Sequence, residues 1–299
     1  MRPDLTSTPP GPAPQQAALL DWSERTRRDL PWRRTRDPWS VLVSELMLQQ
    51  TQVARVVSKY LAFVEAYPTP SACAAAPVGD IVTAWAGLGY NRRAVNLHRC
   101  AGRVVEQHGG RLPDRLEGLL ALPGIGPYTA RAVLAFAGEC DVGVVDTNAG
   151  RVLARLAGRS LTRVEAQVRA DSAVPAGLGW AWNQAVLDLG ATVCTSRSPT
   201  CGACPLAPWC SWHEAGRPEP DPARGSAGTS TGQSRFEGSD RQGRGRLVDG
   251  LRDQGTIEAA RLAAVAGWPD DPIRTATVVA TLVRDGLAVE HGDGSLTLP

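Results

Sequence analysis

Four cysteines crowd one short stretch near the middle of the second half of the chain. CTSRSPTCGACPLAPWC places Cys194, Cys201, Cys204 and Cys210 at the spacing C-x6-C-x2-C-x5-C. Four thiols this close form a site for a metal ion or a metal cluster. Structural zinc and an iron–sulfur cluster both suit such a donor set. The other three cysteines, Cys73, Cys100 and Cys140, are scattered through apolar helical patterns and read as packing residues. Nothing in seven cysteines distributed this way resembles a secreted disulfide scaffold.

Two carboxylates stand where acid–base chemistry could use them. Glu45 lies among Leu42, Val43, Leu46 and Leu48, so burial would raise its pKa and keep it able to donate a proton. A buried arginine partner is the structural alternative. Asp146 follows the apolar run VGVV and precedes a helical stretch beginning near Thr147. It reads as an N-cap, and a helix N-terminus favours the ionised carboxylate. A third feature is LPGIGPYTARAVL, in which Gly124, Ile125 and Gly126 separate two helical runs and Tyr128 opens the second. Glycines at positive φ would expose successive N–H groups to a phosphate oxygen. A plain helix–helix turn is the bland reading of the same residues.

The elements that must carry these residues are helices. Asp37-Pro38 is a helix start, and the WSVLVSELMLQ that follows is apolar enough to lie in a core. Further helices are expected at about 52–66, 78–86, 92–108, 115–121, 128–138, 147–157, 163–170 and 181–190, with no useful period-2 alternation among them. The first 18 residues read as a disordered lead with no signal-peptide pattern. Residues 213–245, rich in Gly, Ser, Thr and Pro, read as a linker. Residues 246–299 read as helices at 246–253, 257–266 and 272–285 followed by a hairpin turning at Gly-Asp-Gly, a small winged-helix-like module.

The cysteine spacing, following a helix that ends in LDLGATVC, resembles the iron–sulfur loop of the endonuclease III superfamily of DNA glycosylases. Within it, SELMLQQTQV and LPWR look most like the MutY-type adenine glycosylases, and the likeness spans roughly residues 19–212. The resemblance implies a mainly α, two-lobed helix-hairpin-helix fold. One six-helix lobe would cover about 31–143, and an iron–sulfur lobe would draw on 19–30 and 144–212. It also implies a [4Fe–4S] cluster on the four cysteines, mismatched double-stranded DNA as partner, and action as a monomer.

The same resemblance distributes roles. Glu45 becomes the acid protonating adenine at N7, Asp146 the group stabilising an oxocarbenium ion, and Asn148 the residue orienting it. Arg28 and Trp32 become walls of the base pocket, and Gln184 the amide reading adenine. Gln50 becomes the residue inserted into the stack, with Tyr90 and Asn91 of GLGYN beside it. Relatives commonly carry a second tyrosine where Asn91 stands, and asparagine cannot replace its stacking. Gly124, Ile125 and Gly126 become the hairpin gripping the DNA backbone. Tyr128 occupies the position where strand-nicking relatives carry a Schiff-base lysine. Nothing after Trp212 resembles the Nudix-like domain many such enzymes carry.

Charge and composition narrow the function classes. Of 32 basic residues only Lys59 is a lysine, which restricts imine chemistry. Residues 1–216 carry four more basic than acidic residues, and 217–299 two more acidic than basic. The body therefore suits a nucleic-acid partner better than the tail does. No run approaches a membrane span, and a cytoplasmic location is expected. The expected activity is hydrolytic removal of adenine mispaired with guanine or 8-oxoguanine, with little or no strand cleavage. A thymine glycosylase acting opposite guanine and a non-catalytic iron–sulfur DNA-binding regulator are the competing readings.

Overall fold

A computed structural model describes residues 11–226 and 235–299. Residues 1–10 of the expected lead and 227–234 of the expected linker lie outside the described residues. In chain order the helices are α1 (Pro14–Thr26), α2 (Pro38–Leu48), α3 (Val53–Ala66), α4 (Pro70–Ala75), α5 (Val78–Ala84), α6 (Arg92–His108), α7 (Leu116–Leu120) and α8 (Pro127–Phe136). They continue with α9 (Thr147–Ala157), α10 (Arg163–Ala173), α11 (Gly179–Thr192), α12 (Ser211–Glu214), α13 (Asp240–Gln254), α14 (Leu262–Ala266) and α15 (Pro272–Asp285). Three two-residue strands, β1 (Thr256–Ile257), β2 (Val289–Glu290) and β3 (Leu296–Thr297), complete the set.

The chain divides into two compact units. One combines the N-terminal segment through Pro38 with the chain from Pro127 onward to the masked break; the other combines 39–126 with 235–299. In the first unit α11 is the central helix. Its Trp182, Ala185, Val186 and Leu189 bury against Leu19 of α1, Ala149 and Val152 of α9, and Leu206 of the cysteine loop. Asp146 and Thr162 cap α9 and α10 through their side chains, the latter with Glu165 in a reciprocal capping box.

In the second unit α2 is buried on nearly every side. Trp39, Val41, Leu42, Val43, Leu46 and Met47 are all within 2% of full burial, as its unbroken apolar run requires. Helices α4 and α5 lie against α6. The C-terminal module belongs to this unit: α13 packs on α14, α15 and β1, and the N–H of Gly79 donates to the carbonyl of Pro299 at 2.8 Å. Its strands form one antiparallel sheet in the order β1-β3-β2, pairing Ile257 with Leu296 and Glu290 with the same Leu296. The expected hairpin turns through Gly294 at φ +78°.

Three boundaries differ from those the sequence suggests. Helix α1 begins at Pro14, inside the expected disordered lead, because Pro sits at its first turn and Gln16 caps the Ala13 N–H at 2.7 Å. The linker is shorter than 213–245: α12 occupies Ser211–Glu214, residues near Asp221 pack into the first unit, and α13 starts at Asp240 with Ser239 as cap. Thr256 and Ile257 are strand, not the start of a helix, because pairing with β3 satisfies their backbone. Among the described residues no helix is long and apolar enough to cross a membrane.

Candidate active site

The residues singled out above fall into two sets, one on each unit. The first unit carries Arg28, Trp32, Tyr128, Asp146, Asn148, Gln184 and the four cysteines; the second carries Glu45, Gln50, Tyr90, Asn91 and the Gly124–Gly126 turn.

Asp146 is the best-defined group. As N-cap of α9 it receives hydrogen bonds from the backbone N–H of Asn148 (2.8 Å) and Ala149 (2.7 Å), and from the Asn148 side-chain amide (2.9 Å). Dense packing around the carboxyl pushes its pKa above the ordinary aspartate value, and those three donors together with the Arg151 guanidinium pull it back. Asn148 is oriented in turn by Arg151, whose Nη2 donates to its Oδ1 at 2.9 Å. The same guanidinium donates to the carbonyl of Gly190 at 2.6 Å and to that of Cys194 at 2.7 Å. Gly190 lets α11 approach this closely, since a Cβ there would lie 2.6 Å from the Asn148 Cβ. Arg151 was not legible in the sequence, where it is one arginine among many on α9.

The segment carrying Arg28 and Trp32 is pinned to α11 by Asp188. Arg33 donates to both carboxylate oxygens at 2.7 and 2.8 Å, and Arg28 Nε to one of them at 2.6 Å. Burial alone would raise the Asp188 pKa, but the Arg33 hydrogen bonds and the two guanidinium charges hold it below the usual range. Arg28 is therefore an ion-pair partner of Asp188 through Nε. The anchor was detectable in principle: an aspartate inside the apolar WNQAVLDLG must find a cation. One turn earlier on α11, Gln184 is 4% exposed, and among the described residues no group hydrogen-bonds its amide. Trp32 is buried to a similar degree.

The cysteines line one cavity together with Val152, Leu189, Leu206 and Trp212. Burial pushes the Cys204 thiol up to about 11, the neighbouring thiols adding to it, and burial raises Cys194 and Cys210 as well. Arg155, 2% exposed, donates to Cys194 Sγ at 3.3 Å and to the Thr195 carbonyl at 2.8 Å. Its charge is met by Asp221 at 2.6 Å, and Trp212 lies over the guanidinium at 4.7 Å. Among the described residues no three potential ligands converge as a single-ion site; the four thiols ring the cavity instead. Two arginines directed at this loop would offset the charge of several thiolates. The donor set and its surroundings fit a metal cluster.

On the second unit Glu45 is 5% exposed on α2. Gln50 and Tyr90 both hold left-handed backbone, at φ +54° and +48°, a conformation that is costly for residues other than glycine. Arg93, 8% exposed, ties their two loops together. Its Nη1 donates to the carbonyls of Leu46, Met47 and Gln49, and its Nη2 to those of Leu88 and Gly89 and to the Thr51 hydroxyl, all within 3.1 Å. Burial lowers its pKa to about 10.

In the Leu122–Gly126 turn only Gly124 takes positive φ, at +76°, so the expectation that both glycines would do so is corrected. Gly124 also needs the absence of a side chain, because a Cβ would sit 2.7 Å from Asn96 Cβ. Ile125 is 7% exposed and anchors the turn, while both glycines face solvent. Tyr128 follows in the first turn of α8, partly exposed.

Residues 43–175 match the family described as HhH-GPD superfamily base excision DNA repair protein. The adenine DNA glycosylase of Mycobacterium tuberculosis is 43% identical over 94% of this chain and 92% of its own length. The human adenine DNA glycosylase is 41% identical over 65% of this chain and 38% of its own. Among solved structures, a thermostable thymine-DNA glycosylase superposes with a TM-score of 0.64 at 32% identity, covering 67% of this chain and 95% of that one.

Proposed function

The chain belongs to the adenine DNA glycosylases of the HhH-GPD base-excision repair superfamily, and from that premise we propose that it removes adenine opposite guanine or 8-oxoguanine in duplex DNA, as a cytoplasmic monomer. The observation that carries the proposal is the 43% identity with an adenine DNA glycosylase over 94% of the chain, and Gln184, 4% exposed on α11, supports it. A side-chain amide both donates and accepts, and adenine offers the matching donor–acceptor edge.

Glu45 donates its proton to N7 of the extruded adenine, weakening the bond to C1′. As the bond breaks, positive charge develops on the sugar, and ionised Asp146 stabilises it. Three N–H donors fix that carboxylate in place before reaction, so little reorganisation is required. Water then takes the place of the base at C1′. Trp32 walls the base pocket, and Arg28 holds that segment on Asp188. Gln50, with Tyr90 beside it, enters the stack the adenine leaves.

The Gly124–Gly126 turn grips a phosphate near the target nucleotide through its exposed backbone. Tyr128 hydrogen-bonds near the scissile sugar and, as a phenol, forms no imine. The product is therefore an intact strand bearing an abasic site. Cys194, Cys201, Cys204 and Cys210 would hold a [4Fe–4S] cluster. Its contribution when bound is to organise the loop from 194 to 210 and the DNA contacts beside it.

The test uses duplexes bearing adenine opposite guanine, 8-oxoguanine, cytosine or thymine, and thymine opposite guanine. Adenine release opposite guanine and 8-oxoguanine, with strand breaks only after alkali, is the expected result. Release of thymine but not adenine overturns the proposal, as does tight DNA binding with no base release.

A further inference from the structure

Three consecutive residues at the head of α6 are each tied to a different side chain of the C-terminal module. Arg241 Nη1 donates to the Tyr90 hydroxyl at 3.3 Å, Arg252 Nη2 to Asn91 Oδ1 at 3.0 Å, and Asp285 lies 3.6 Å from Arg92 Nη1. The Arg252 tie is built into the protein's interior. Its side chain is 7% exposed, Nε and Nη2 both donate to the Val82 carbonyl at 3.2 and 2.6 Å, and Asp249 takes Nη1 at 2.6 Å. Asp285 is itself fixed by Arg244 at 2.6 Å.

From the other side, Arg93 holds the Leu88 and Gly89 carbonyls and lies 5.7 Å from the Tyr90 ring centroid. Between these two sets of restraints Tyr90 keeps left-handed backbone and is 42% exposed as a residue. Free chain would relax such a residue, so the restraints hold an aromatic ring outward at a cost to folding. An exposed ring with arginines beside it is the arrangement that stacks on nucleic-acid bases.

We propose that the C-terminal module is a specificity element of the glycosylase: Arg252, through Asn91, positions Tyr90 to stack on the base pair at the lesion. Asn91 in this arrangement is a tie, and Tyr90 is the stacking group. The inference rests on the DNA reading of the preceding subsection. Arg252 and Asn91 are positioning residues, since neither is assigned a contact with the reacting atoms.

The experiment uses the full chain and a duplex holding a reduced abasic-site analogue opposite guanine, with 2-aminopurine flanking that guanine. The wild-type protein quenches the 2-aminopurine on binding, and Tyr90→Leu does not. Arg252→Gln and Asn91→Ala each lose the quenching and bind this duplex about tenfold more weakly, while affinity for undamaged duplex stays unchanged and Asn91→Ala keeps the wild-type melting temperature. The double variant is no worse than either single one. Wild-type quenching in Arg252→Gln or Asn91→Ala, or fully additive losses in the double variant, overturns the proposal. Should Arg252→Gln fail to fold, Asn91→Ala cuts the same tie from the loop side and decides alone. Because quenching needs no catalysis, a wild-type protein that quenches but releases no adenine supports this inference while sinking the function reading.

Discussion

The Arg151 guanidinium joins Asn148 and Cys194: Nη2 donates to Asn148 Oδ1 at 2.9 Å while Nε donates to the Cys194 carbonyl at 2.7 Å. Because Asn148 in turn donates to Asp146 at 2.9 Å, the cysteine loop and the carboxylate are linked by an unbroken run of hydrogen bonds. Arg151→Met should keep the volume but release Asn148. Single-turnover adenine release is expected to fall about 10- to 100-fold, the usual effect of losing a supporting contact of this kind. Substrate affinity should change little, and an unchanged rate would show that Asp146 is held by its backbone donors alone.

The Asp146 carboxyl has a definite pH signature. Its folded pKa lies above the ordinary aspartate value, so the ionised form that the proposed mechanism uses is lost as pH falls through a point above that ordinary value. Asn148→Ala removes a donor that favours the anion, and should move the acid limb of the single-turnover pH–rate profile further up. Linkage adds a second consequence. A carboxyl with a raised folded pKa contributes stability that is complete below the unfolded pKa and lost as pH rises through the folded one. At neutral pH its charge therefore opposes folding, and Asp146→Asn should melt higher than wild type while losing base release.

Asp221 tests the packing of the cysteine loop. Removing it by Asp221→Ala leaves Arg155, 2% exposed, without its carboxylate. Breaking a buried pair from one side costs about 3–5 kcal/mol. Thermal or denaturant unfolding should show this loss, and, with the proposed cluster in place, bound iron should fall with it. Wild-type stability would mean that the Thr195 and Ser196 carbonyls suffice for Arg155.

The turn at Gly124 predicts a DNA-binding defect without a chemical one. Gly124→Ala must place a Cβ 2.7 Å from Asn96 Cβ at φ +76°. The turn has to shift, and with it the backbone proposed to meet a phosphate. Affinity should fall about equally for matched and mismatched duplexes, and the dependence of log K on log salt should become shallower. A loss confined to mismatched duplexes would argue against a backbone contact.

Much of the candidate site was legible because local chemistry specifies it. The C-x6-C-x2-C-x5-C spacing, the carboxylate of Glu45 in an apolar helix, and Asp146 before a helix each carry their meaning within a few residues. Helix positions followed from apolar periodicity and from Gly and Pro breaks, and the mainly α class with them. Boundaries were less legible where distant partners decide them. Asp221 reads as linker until Arg155 meets it across 66 residues, and Thr256 and Ile257 become strand only because β3 lies beside them.

Residue types and short spacings thus determined by themselves that this chain has a four-thiol loop, a buried acid, a capping aspartate and a glycine turn, because those depend on nearest neighbours along the chain. Tertiary structure alone decided what holds them. Arg93, Arg151, Arg155 and Arg252 belong to a background of 31 arginines, and nothing local distinguishes a buried guanidinium from a solvated one. Their partners are mostly backbone carbonyls, which every residue possesses. Only the fold selects which carbonyls converge on which arginine.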